Sequence, residues 1–110
     1  MLPLLLALSL SCGDAPVDSG VPAICEDAPA LTWANWGDGF FATYCRSCHS
    51  ETTPDRRGAP EGIDFNTREQ VQAQAALVRD SVLVRGSMPV GGGVYEEDLE
   101  MLEVFLDCGL

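Results

Sequence analysis

Apolar side chains recur along the chain in three helical patterns separated by two polar, breaker-rich stretches. In the first, Trp36, Phe40 and Tyr44 repeat every four residues, which puts them on one face of a helix leading into Cys45. Asn35 is the expected cap at its start. Gly37 and Gly39 lower its intrinsic propensity, so packing must hold this helix. Residues 50–65 carry Pro54, Gly58, Pro60 and Gly62 and read as a loop. In the second pattern Thr67 and Gln70 have capping-box spacing, and Val71, Ala75, Val78 and Val82 form an apolar stripe. Arg85-Gly86 supplies its stop signal. Residues 87–93 are a second loop, containing Met88-Pro89 and then three glycines. A third helix is expected over 95–107. Glu96, Glu97 and Asp98 suit the positive end of its dipole, and Tyr95, Leu99, Leu102 and Leu106 form its buried stripe. With no strand pair in view, the expected fold class is all-α.

Upstream the pattern changes. Residues 1–11 are almost wholly apolar and end at Cys12, too short a run to span a bilayer as a helix. They read as the apolar part of an export signal. Leu8-Ser9-Leu10-Ser11-Cys12 resembles a bacterial lipoprotein processing site, which makes Cys12 the expected lipidation residue. Cleaved secretion without a lipid and an ordinary buried helix are the other two readings. From residue 12 to residue 30 the chain is rich in Asp, Pro, Ser, Gly and Ala without apolar periodicity, the composition of a flexible tether. One folded domain over 31–110 fits the remaining length.

Charge narrows the partners. Seventeen acidic residues face six basic ones, all arginine, for a formal net charge of −11. Such a surface repels phosphate backbones, so nucleic acid is an unsuitable partner, whereas a protein with a basic docking surface is attracted. Simple solubility is the plainer use of the same charge.

The strongest chemical signal is Cys45-Arg46-Ser47-Cys48-His49. Cys-x-x-Cys-His is the attachment signature of c-type haem: two thiols three positions apart reach the two vinyl groups of a porphyrin edge, and the adjacent histidine ligates the iron. His49 is the sole histidine. A thioredoxin-type redox pair, half a zinc site and a plain disulfide compete with this reading, although no strand–helix context or second ligand pair accompanies the motif. Met88 is the candidate sixth ligand. Met1 belongs to the leader, Met101 falls within the acidic third helix, and Met88 sits in a loop before Pro89. A gap-filling core methionine is the alternative.

Five cysteines leave one odd. With Cys12 lipidated and Cys45 and Cys48 holding haem, Cys25 and Cys108 remain to pair in an oxidising compartment. Two separate buried thiols are the other possibility.

The stretch Gly37-Asp38-Gly39-Phe40-Phe41-Ala42-Thr43-Tyr44-Cys45-Arg46-Ser47-Cys48-His49 resembles the N-terminal helix and haem motif of the class I cytochromes c, in a lipoprotein-like bacterial form. In that family a glycine lies eight positions before the first cysteine and an aromatic four before it, as Gly37 and Phe41 do here. Leu102-Glu103-Val104-Phe105-Leu106 is similar to the family's C-terminal helix, whose aromatic packs at that glycine, and Met88-Pro89 to its axial methionine segment. The resemblance implies a small three-helix domain wrapped around one covalent haem c, with His49 and Met88 as axial ligands. It also implies that a proline carbonyl, of Pro60 or else Pro54, accepts the bond from the second nitrogen of His49. The mitochondrial family's docking lysines are absent, so those partners do not carry over. The expected function is one-electron transfer rather than catalysis, in an exported protein, periplasmic or on the outer surface, membrane-anchored and serving redox partners. A haem-based sensor and an accessory haem domain of a larger oxidoreductase assembly are the alternatives.

Overall fold

The computed structural model describes residues 22–110. The export signal, the lipidation residue Cys12 and the tether up to residue 21 lie outside them. Among the described residues all regular structure is helical and there is no strand, so the domain is all-α. No helix there is long and apolar enough to cross a membrane.

The first helix starts earlier than the pattern suggests. Thr32 is extended, with φ −122° and ψ 169°, and its hydroxyl accepts from the Asn35 amide while the Asn35 side chain accepts from the Thr32 amide. Asn35 is thus the reciprocal partner in a capping box, and Thr32 is the cap. A wide-turned segment, Trp33–Gly37, runs directly into α1, Asp38–Tyr44. The second helix opens with the expected Thr67–Gln70 box, but it is not continuous. Gln74 adopts φ −109° and ψ 13°, which interrupts the regular hydrogen-bond ladder and separates α2, Arg68–Ala73, from α3, Ala75–Val78. A second wide-turned segment, Arg79–Val84, follows, and Gly86 takes φ 62° just beyond its end. Among the described residues four α-helices therefore stand where three were expected. The last, α4, spans Glu96–Val104 and continues as a wide turn through Phe105–Gly109. Tyr95 departs from its predicted buried stripe. It is the extended residue before α4, 76% exposed, so the helical periodicity does not govern its side chain.

The core joins these pieces. Phe41, Val71, Leu102 and Phe105 are fully buried, with Phe40, Phe65 and Val78 beside them. Phe105 packs against Trp36 and Phe41, at ring-centroid distances of 5.6 and 6.4 Å. Gly37 makes this possible. A methyl carbon placed there would stand 2.6 Å from Phe105 Cζ and 3.1 Å from Trp33. The close approach inferred for Gly37 and Phe105 is thus real, and it locks α1 to the segment that follows α4.

Cys25 and Cys108 are bridged, with their Cα atoms 5.6 Å apart. The bridge fastens the turn Ala23–Cys25 to the end of the chain, so part of the stretch read as tether is bonded to the domain.

Candidate functional site

The Cys45–His49 motif emerges from the end of α1, where the helix unwinds. Cys45 sits at φ −125°, and the backbone turns back on itself through bonds from the Cys48 and His49 amides to the Cys45 carbonyl. Arg46 staples this turn in place. Its guanidinium donates to the Phe65 carbonyl at 2.7 Å, pairs with Asp38 at 2.5 Å and lies over the Trp33 ring. Cys45 and Cys48 remain free thiols, both partly buried.

Cys45, His49 and Met88 line one apolar cavity of ≈ 340 Å³, together with Leu77, Val78 and Val82. A second cavity of ≈ 380 Å³ adds Cys48 and shares Tyr44, Cys45, His49, Pro60, Met88 and Pro89 with the first. The two are lobes of one cleft. Its floor comes from the motif and its far wall from the loop after the Arg79–Val84 segment. That loop is tied down by the Ser81 carbonyl, which accepts from the amides of Ser87 and Met88 at 2.8 and 3.1 Å. Met88 itself is 40% exposed, and its bond to Pro89 is cis.

His49 has a defined tautomer. Its Nδ1 stands 2.9 Å from the Ile63 carbonyl oxygen, which can only accept, so Nδ1 carries a proton and Nε2 is the ring nitrogen left for another partner. The ring is braced edge-on by Phe65 at 5.4 Å. The acceptor is not Pro60. The Pro60 carbonyl is taken by the Ile63 amide at 3.3 Å and by Arg56 at 2.7 Å. This is a turn from Pro60 to Ile63 in which Gly62, at φ 88°, supplies the left-handed residue and swings the Ile63 carbonyl toward the imidazole. Pro60 lines the cleft but does not hold the histidine, and Pro54 has no part in either.

The sequence pattern also passed over Arg56. Its five N–H groups meet five oxygens: Ala59 O at 3.3 Å, Ser50 O at 2.8 Å, Asp64 Oδ1 at 2.6 Å, Pro60 O at 2.7 Å and Ile63 O at 3.2 Å. Asp64 is buried. The loop after the motif, which looks unstructured by composition, is therefore built around one guanidinium. The only available signal is a pair of arginines, Arg56 and Arg57, set inside a breaker-rich loop of a strongly acidic chain.

Comparison with family models, curated proteins and solved structures finds no match to this chain.

Chemistry distinguishes the uses of the site. Thiol–disulfide exchange needs a thiol of lowered pKa, whereas burial pushes the Cys45 thiol up to about 12 against the smaller opposing influence of Arg46. A structural zinc site needs four converging ligands, and among the described residues no three His, Cys, Asp or Glu side chains converge. A large planar apolar group anchored at one edge by two sulfurs and ligated by an imidazole nitrogen fits the residues present. They offer an apolar cleft, two unbridged thiols beside it and a histidine with a committed Nδ1 proton.

Proposed function

We propose that this chain is a one-electron carrier with a covalently attached c-type haem, of the class I cytochrome c kind. The observation that carries the reading is that one apolar cleft is lined by Cys45 and His49 and also by Met88, which lies in a separate loop later in the chain. Haem bound there supplies an iron that takes up and releases one electron. Cys45 and Cys48 would hold it by thioethers, His49 through Nε2 and Met88 through its sulfur would be the axial ligands, and Ile63 fixes the imidazole by accepting from Nδ1. Leu77, Val78 and Val82 give the cleft apolar walls. With His49 and Met88 both engaged by the group, no position would be left for a substrate, which favours transfer over catalysis. The approach of Phe105 to Gly37 supports the finer picture of a cytochrome domain whose first and last helical segments pack together beside the cofactor.

Residues 1–12 would export the protein and anchor it by a lipid on Cys12, to the periplasm or outer surface. The Cys25–Cys108 bridge suits such an oxidising compartment. The net charge of −11 favours a redox partner with a basic docking surface.

The test is a reduced-minus-oxidised spectrum of the protein matured in an exporting host, beside His49→Ala and Met88→Ala. Covalent haem with a Met–iron charge-transfer band in the oxidised wild type, lost in Met88→Ala, is the expected result. Wild-type protein without covalent haem refutes the reading. One observation favours a second use: Met88 is 40% exposed and is followed by a run of positive-φ glycines, Gly91, Gly92 and Gly93. A ligand so placed is displaceable, as in a sensor of small gaseous molecules. Carbon monoxide binding by the wild type at neutral pH selects that reading over electron transfer.

A further inference from the structure

We infer that Arg56 is a positioning residue that sets the reduction potential of the site by sharing the Ile63 carbonyl with His49. The inference rests on the haem reading above. The Ile63 oxygen receives two donors, the His49 Nδ1–H at 2.9 Å and the Arg56 guanidinium at 3.2 Å. An amide oxygen has two lone pairs and accommodates both. The donors nevertheless draw on the same electron density, so each weakens the other's bond. An imidazole whose N–H is strongly accepted gains imidazolate character and becomes a more basic ligand, which favours ferric iron. By diluting that acceptance, Arg56 holds the ring closer to neutral imidazole and favours ferrous iron.

The bonds that build the loop around Arg56 also fix where its guanidinium stands. Asp64, buried, holds one terminal nitrogen, and Pro60 holds the other at 2.7 Å, so that this second nitrogen reaches Ile63 as well. The Arg56–Asp64 pair is close to electrically neutral as a unit. Its influence on the iron is therefore exerted mainly through the shared carbonyl and only weakly through net charge.

The experiment measures the potential of the mature haem protein by spectroelectrochemistry, and the His49 ring N–H proton shift in the reduced, diamagnetic state by NMR. Two variants are compared with wild type. Arg56→Lys keeps the charge, but its single nitrogen, drawn to Asp64, cannot also span to Ile63. Arg56→Met with Asp64→Leu removes the pair without changing the net charge, and apolar replacement of a buried ion pair is commonly tolerated. In both, the ferrous form is expected to lose at least about threefold relative to the ferric, ~28 mV at 59 mV per decade for one electron. The ring proton is expected to move downfield as its bond to Ile63 strengthens. A wild-type potential in either haem-bearing variant overturns the proposal, as does an upfield, faster-exchanging ring proton, which marks a merely loosened loop. Loss of covalent haem from both variants while wild type retains it makes Arg56 a folding residue alone and also overturns it. Wild type lacking covalent haem is a different outcome, the failure of the haem reading itself.

Discussion

Substituting Gly37 by alanine tests whether α1 and the end of α4 are joined by direct contact. Two opposing effects are built into the change. The backbone at Gly37 is already right-handed helical, φ −59° and ψ −48°, so alanine gains ~0.5–1 kcal/mol of helix propensity. Against this, the new carbon would stand 2.6 Å from Phe105 Cζ and 2.9 Å from Cε2, about an ångström inside an optimal carbon–carbon contact. Phe105 has nowhere to go. Its ring is fully buried, faces Trp36 and Phe41, and has Gly109 on another side, where an added carbon would be 2.6 Å from Cδ2. Overpacking of this kind costs ~1–3 kcal/mol. Gly39 is the control. It lies in α1 with nothing within 4 Å of an added carbon, so Gly39→Ala collects the propensity gain alone. The difference between the two variants isolates the clash, at ~1–3 kcal/mol. In thermal melts followed by circular dichroism it separates them by about 4 °C or more for a domain of this size. Urea midpoints should diverge in the same order with unchanged slopes. Adding Phe105→Leu should cost Gly37→Ala less than it costs wild type, because the smaller side chain vacates the contested space. Gly37→Ala as stable as Gly39→Ala would refute the contact.

Three further predictions use other parts of the molecule. Opening the Cys25–Cys108 bridge, by Cys25→Ser with Cys108→Ser, frees a loop with sequence separation 83 and should lower stability by ~4.5 kcal/mol in the chain-entropy model, read from urea midpoints. In haem-free protein, the Cys45 thiol, raised from 9.0 to about 12, keeps its proton when folded after the unfolded chain has lost it. Its stabilising contribution is complete below pH ~9 and is lost as pH rises toward ~12, so Cys45→Ala should flatten the alkaline decline in melting temperature. Tyr44, also raised above 10.0, chiefly by its bond to Asp98, adds to that decline in both proteins. Finally, Asp64→Ala strands the Arg56 charge and should cost ~3–5 kcal/mol, whereas Asp80→Ala, which breaks the exposed pair with Arg85, should cost under ~1 kcal/mol. Equal losses from the two would show that burial does not distinguish these pairs.

Most features that depend on the presence of a particular residue type were legible in the sequence, and features that depend on which backbone atom is met were not. The Thr67–Gln70 cap requires a hydroxyl and an amide three apart, and the contact at Gly37 requires a missing Cβ; both leave a mark in the residue types. The Cys25–Cys108 pairing followed from counting. By contrast, any residue offers a carbonyl, so nothing in the letters distinguishes Ile63 from Pro60 as the acceptor for His49. The turn that decides between them is set by Gly62 and by the reach of Arg56. Thr32 was missed as a cap because its partner is asparagine rather than the usual Glu or Gln. The break at Gln74 has no sequence signal, since a glutamine suits a helix interior well. Tyr95 fell on the apolar repeat by position, but the helix starts one residue later.

The Cys25–Cys108 bridge also determines how the molecule carries tension. A pull applied between Pro22 and Leu110 runs from Pro22 to Cys25, crosses the sulfurs and continues from Cys108 to Leu110. Every residue between the bridged cysteines, with the cleft and the core, lies off that route. Stretched by its ends, the oxidised domain can pay out only those few flanking residues, ~25 Å of chain, before the covalent link takes the load. The reduced domain can extend to ~300 Å. Whatever strain reaches it through the segment ahead of Pro22, the site is mechanically shielded for as long as the bridge stays closed.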